Sequence, residues 1–183
     1  MKKVVLITCL MLMGFISKAE EFKAFRVDLG LGYCIPKGGG GVTFALEPKY
    51  AITNQISAGF RWEMALMARD LNVNNESASG TLQGNVSYAL TGDYFFTETK
   101  FRPFAGLGLG LYRVAGAEVE GNVNGGNVSV GDKTNFGALL RAGFDISHFR
   151  LGVEYNIAGK GADGGSANYL AILFNVYIGG GRK

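Results

Sequence analysis

Apolar and polar residues alternate with a period of two along most of the chain. In the segment FRVDLGLGYCI, Phe25, Val27, Leu29, Leu31, Tyr33 and Ile35 share one face, while Arg26, Asp28, Gly30, Gly32 and Cys34 share the other. In FRLGVEYNI, Phe149, Leu151, Val153, Tyr155 and Ile157 oppose Arg150, Gly152, Glu154 and Asn156 in the same way. A β-strand sends alternate side chains to opposite faces, whereas a helix would scatter these charges around its circumference. The same parity predicts strands near 25–35, 42–52, 56–66, 86–96, 101–113, 134–146, 149–157 and 169–178, eight in all.

The predicted connections alternate in length. Residues 53–55, 97–100 and 147–148 make short turns, and 36–41, 67–85, 114–133 and 158–168 make longer loops rich in Gly, Asn and Asp. Short turns on one side and long loops on the other are the connectivity of transmembrane β-barrels, whose longer loops face outside the cell. Each predicted strand is close to the roughly 9–11 residues that a tilted strand needs to cross the hydrocarbon layer. Two aromatic belts are expected on the apolar face. Phe25, Tyr50, Tyr94, Phe101, Phe144 and Phe149 fall near the short-turn end, and Tyr33, Trp62, Tyr88, Phe136 and Tyr155 nearer the long-loop end.

A soluble lipocalin-like barrel also alternates, with its apolar face inward. The polar face favours the membrane alternative, because its long charged side chains are sparse and interspersed with Gly and Ala. Arg26, Asp28, Glu47, Lys49, Arg61, Glu63, Arg102, Arg141, Asp145, Arg150 and Glu154 all carry the inward parity, a near-balanced set of cations and carboxylates. An eight-stranded barrel encloses just enough space for side chains to fill it, and glycines such as Gly106, Gly108 and Gly110 leave room for them. A one-residue slip of register would turn these charges into lipid, at about 2–4 kcal/mol for each Arg or Lys at the midplane. The inward charges are expected to form a lumen network that plugs the barrel with ion pairs; the alternative is a gate that rearranges to pass ions.

Composition agrees with an all-β chain: 29 Gly, placed in neither a collagen period nor a low-complexity tract, suit tight turns and crowded strands better than helices. Residues 1–19 read as a signal peptide, with Lys2 and Lys3, an apolar stretch from Val4 to Ile16, and Ser17-Lys18-Ala19 as the cleavage site. That stretch is too short to span a bilayer as a helix. Cys9 lies inside it, which disfavours a lipoprotein anchor. Cleavage removes three Lys and no acid, so 18 basic and 15 acidic residues become 15 and 15 in the 20–183 domain. The near-neutral mature chain offers no basic surface for nucleic acid. Its lone Cys34 cannot form an internal disulfide.

The signal peptide, the segment FRPFAGLGLGLYRV and the final apolar stretch YLAILFNVYI together resemble the small OmpA-like and OmpX-like family of outer-membrane barrels, over essentially all of the mature chain. The resemblance implies an eight-stranded antiparallel up-and-down transmembrane β-barrel in the bacterial outer membrane. One departure is the closing GGGRK, where familiar members end on an aromatic residue.

Candidate chemistry is sparse. His148 falls in the short turn between the sixth and seventh strands and reads as a turn residue rather than a general base. Cys34 has no His on its side of the sheet. GLGLGLY lacks the G-x-G-x-x-G spacing of a nucleotide loop. No cofactor and no metal cluster is expected. The favoured function is therefore a structural or surface-binding barrel, with a narrow channel second and a lipid-modifying enzyme third. Its partners would be outer-membrane lipid and, at the long loops, an extracellular protein or surface polymer. In 114–133, Val119 and Val123 keep the outward parity of the fifth strand and Val128 and Val130 that of the sixth, around the turn signal NGGN. This predicts a protruding β-ribbon whose exposed edge is open to a partner strand.

Overall fold

The structure, a computed structural model, describes residues 24–74, 77–122, 125–161 and 164–180, with the backbone alone at 70–81 and 117–130. The expected signal peptide at 1–19 and Val123 lie outside the described residues. Eight strands follow in order: β1 (Phe25–Pro36), β2 (Gly39–Ala51), β3 (Ile56–Asn74), β4 (Ser77–Phe95), β5 (Phe101–Asn122), β6 (Gly125–Ile146), β7 (Phe149–Ile157) and β8 (Tyr169–Gly179). Each pairs antiparallel with its neighbour in sequence, and β1 closes on β8 from Arg26↔Gly179 to Pro36↔Tyr169. Closure leaves no strand edge at the level of the barrel, as hydrocarbon requires, because lipid offers no partner to an unpaired N–H or C=O.

The two faces sort as the alternation predicts. In β7 every second residue is buried and the rest are exposed. The exposed set is apolar, with Leu90 70% and Phe136 73% accessible, whereas Arg61, Glu63 and Asp145 are each 1% accessible. This is the inverse of a soluble barrel, and it makes the outer surface a lipid-facing one. The turn-side aromatic belt is present: Phe25 pairs with Tyr50, and Phe101 packs on Phe144 at 5.4 Å between ring centroids. Of the second belt, Tyr33, Tyr88, Phe136 and Tyr155 are exposed, while Trp62 is half-buried edge-on to Phe44.

The long loops are where expectation and structure part. The predicted loop 36–41 shrinks to a turn at Lys37 and Gly38, where Gly38 adopts φ 82°. Most of 67–85 and 114–133 is strand, not loop: β3, β4, β5 and β6 extend well past their predicted ends. Beyond the lipid both faces of a strand are solvated, so a continuous apolar face is no longer required, and backbone pairing with neighbours continues the strands through residues rich in Gly, Asn and Asp. The result is a four-stranded extension rather than a two-stranded ribbon. β2 leaves β3 at Gly39↔Arg69 and β7 leaves β6 at Ala138↔Ile157, yet β3–β4, β4–β5 and β5–β6 stay paired out to Asn74↔Ser77, Ser77↔Asn122 and Asn122↔Gly125. Val119 pairs with Val128 in that ladder. Both edges of β5 are covered there, so the open edges belong to β3 and β6. Of the predicted long loops, 158–168 alone stays irregular among the described residues, with a Lys160↔Ser166 bridge across it.

Candidate functional site

Inside the barrel the side chains fall into layers. At the short-turn end Phe95 and Phe104 pack at 6.0 Å, and the guanidinium of Arg150 lies 3.8 Å from the Phe104 ring centroid. Arg26 sits over the Tyr177 ring at 4.4 Å, and the Tyr177 hydroxyl donates to the Ser147 carbonyl. Arg102 opposes Asp145 in register, but its half-buried side chain turns to this mouth, donating to the Asn54 carbonyl and stacking on Phe95 at 3.9 Å. Cations against aromatic faces suit a place where a charge must be held without full hydration.

The charged layer follows. The pairing of β6 with β7 sets Asp145 opposite Arg150 and Arg141 opposite Glu154, and that of β1 with β2 sets Asp28 opposite Glu47. Arg141 grips Glu47 with both terminal nitrogens, at 2.8 and 2.7 Å, a bidentate pair. Arg61 reaches Glu63 at 2.6 Å, Glu154 at 2.7 Å and Glu47 at 3.2 Å. Arg26 bridges Asp145 at 2.8 Å and Asp28 at 3.0 Å, and Lys49 adds Asp28 at 3.1 Å. Ten of the eleven residues expected in the lumen are thus buried and joined; Arg102 is the one at the rim.

Sequence reasoning missed the acid at the centre. Asp93 accepts from Arg141 Nε at 2.7 Å, Arg150 Nη1 at 2.8 Å and Lys49 Nζ at 2.9 Å. Its parity with Ser87, Ala89 and Thr91 was the available signal. Gly106 faces it: a Cβ there would stand 2.2 Å from Asp93 Oδ1, so the glycine is the space that the carboxylate occupies. With Asp93 included, the buried bridges join five cations to six carboxylates, and Arg102 is the sixth cation, beside Asp145.

Above the charges the lumen turns apolar. Cys34, Ala45, Ala65, Met67, Ala171 and Leu173 form a buried cluster with Tyr169, whose hydroxyl donates to Glu63 at 2.6 Å. Val114, Ala158, Ala167 and Tyr112 form a second one. The segment 158–168 is pinned across this end by side chains of three strands. Arg69 donates to the Ser166 carbonyl at 2.9 Å, Asn85 to that of Ala167 at 3.3 Å, and Asn135 to those of Ala158 and Lys160 at 2.9 and 2.8 Å. Arg69 lay beyond the predicted end of its strand. His148 stands in the opposite, short-turn end with its ring 5.7 Å from that of Tyr177. Among the described residues, no group of three or more His, Cys, Asp or Glu could hold a metal ion.

No protein-family model and no curated protein matches the sequence. Solved structures do. Neisserial surface protein A (NspA) superposes with a TM-score of 0.60 at 16% identity, over 87% of this chain and 99% of that one. The fold is that of the small OmpA-like and OmpX-like outer-membrane barrels. Two other structures align with this outer-membrane barrel at a TM-score of 0.46 and 13% identity. They are the N-terminal β-barrel domain of Pseudomonas aeruginosa OprF, over 85% of this chain and 98% of that one, and the attachment invasion locus protein Ail of Yersinia pestis in complex with the heparin analogue sucrose octasulfate, over 86% and 99%.

Proposed function

We propose that this outer-membrane barrel is a closed scaffold whose work is done at the cell surface, by the four-stranded extension and the segment 158–168. The observation that carries the reading is the filled interior: an aromatic–cation layer, a buried charge network and an apolar layer follow one another along the axis. Function is then left to the parts outside the lipid, where binding on rigid scaffolds usually resides. The partner is an extracellular protein or a surface polymer. Ail, a similar barrel in fold, was crystallised with a heparin analogue, which puts a sulfated polysaccharide among the polymers worth testing. We read the protein as a binder rather than an enzyme because its one histidine stands in the turn at the end away from that extension.

A narrow channel is the second reading. Arg61 touches three carboxylates, and exchange among Glu47, Glu63 and Glu154 would let the network rearrange. Planar-bilayer recordings of the purified barrel separate the two. No stable unitary conductance is expected from the wild type. Discrete openings whose size changes in Arg61→Gln or Glu63→Gln would replace the closed scaffold with a gated pore.

A further inference from the structure

At the base of the extension the outward face carries a groove across β2, β3, β4 and β5, of about 510 Å³. Register sets Val42, Leu66, Gly84, Ala115 and Asp132 in one row around the wall. That row stands two outward positions beyond Trp62, Tyr88, Leu111 and Phe136, which lie at the loop-side aromatic belt. Between the two rows lies Arg113, exposed and paired with Asp132 at 2.9 Å. An exposed charged pair on the outer face marks the level where hydrocarbon gives way to headgroups, so the groove opens sideways above the lipid chains. Its aliphatic side chains Val42, Leu66 and Leu82 are nevertheless each more than half exposed. Toward β4 and β5 it is hollow, with Gly84 and Ala115 side by side. A Cβ at Gly84 would meet nothing closer than Leu66 Cδ2 at 3.7 Å, so no crowding within the chain demands a glycine there.

We propose that this groove is the contact between two copies of the barrel standing side by side in the membrane. Aliphatic surface that neither lipid nor the chain itself covers is the kind that another protein surface closes over. The cover must be apolar, because the outward side chains of the groove are aliphatic or absent and Gly84 lies in an unbroken ladder between Leu66 and Ala115. An extended peptide or a sugar laid there would leave its own polar groups unsatisfied. The wall of a second barrel carries no such cost, since its backbone groups are already paired strand to strand. A second copy, inserted the same way, also brings that wall to the same height. Two such copies are related by a half-turn about the membrane normal, an arrangement in which one patch meets itself. The half-turn sets the β3 side of one copy against the β5 side of the other. Protruding Val42 and Leu66 then stand on the side that meets the hollow at Gly84 and Ala115 of the partner copy, and the reverse holds across the axis. Below the groove the contact runs on into the lipid-facing belt through Met64 and Val86 of the same strands.

The test uses the full barrel in bilayers of phosphatidylethanolamine and phosphatidylglycerol. Cys34 is buried, and Cys34→Ala gives a background in which one new cysteine reports contact. Val86→Cys, on β4 beside the half-turn axis and outside the groove lining, should form disulfide-linked dimers under mild oxidation. Ile35→Cys on β1 and Ile157→Cys on β7, outward at the same end of the barrel, measure chance collision. The dimer yield at Val86→Cys should exceed both several-fold. Adding Gly84→Leu, which fills the hollow, should return it to their level while the barrel keeps its different gel mobilities before and after boiling. Ala115→Leu, at an exposed position, provides the same reading should Gly84→Leu fail to assemble. A yield at Val86→Cys no higher than at Ile35→Cys and Ile157→Cys overturns the proposal and leaves the groove to a foreign polypeptide. An excess that survives both fillings overturns it as well.

Discussion

Asp93 accepts from three cations that three different strands supply, Lys49, Arg141 and Arg150, in a space left by Gly106. Removing one partner of a buried ion pair leaves the others uncompensated, at about 3–5 kcal/mol, whereas an exposed pair contributes only about 0–1 kcal/mol. Asp93→Leu should therefore lower the unfolding midpoint in urea, measured in detergent, far more than Arg113→Gln, which breaks the exposed bridge to Asp132. Equal midpoints for Asp93→Leu and wild type would show that the network adds nothing to stability. The same residue shows how partial legibility arises. Parity along 86–96 points Asp93 inward, yet parity cannot tell which of the inward carboxylates stands at the centre, because that depends on the strand register around the whole ring.

At the scale of elements, the strands β3 to β6 do two jobs in one length. Their turn-side halves carry a continuous apolar face and meet lipid; their outer halves, rich in Gly, Asn and Asp, stay paired strand to strand through the backbone ladder. The division predicts that replacing 118–131 with a short Gly/Ser linker leaves the barrel intact. Pairing from Phe101↔Ile146 to Arg113↔Thr134 is retained, and changing loop length twofold alters closure entropy by only about 0.6 kcal/mol. Assembly, read by the boiled-versus-unboiled gel shift, should persist. Adhesion of expressing cells to immobilised extracellular proteins and surface polymers should fall. Failed assembly would place this segment within the scaffold; undiminished adhesion would move the binding surface to 158–168 or to the tip of β3 and β4.

For the molecule as a whole, a closed ring of apolar side chains on the outside dictates that the purified protein stays in solution only with detergent. Contiguous exposed apolar surface of this extent is not stable in water. Detergent withdrawal should precipitate it or drive association, measured by light scattering and size-exclusion chromatography. A monodisperse monomer in plain buffer would contradict the lipid-facing assignment.

The linear pattern determined the strand count, the inward and outward faces and the short turns, because burial against lipid on one side and side-chain packing on the other imposes a period of two that a single chain displays by itself. It also placed ten of the eleven expected lumen charges, such as Arg61 and Glu154, on the buried face. What it could not determine was anything set by neighbours. The outer strand extensions are rich in Gly, Asn and Asp, so 67–85 and 114–133 read as loops until their backbone partners are seen. The central place of Asp93, the turn of Arg102 to the mouth and the tethering of 158–168 by Arg69 each come from residues far apart in sequence. Tertiary structure decided these, since ring closure and register, not local composition, bring those atoms within a few ångströms.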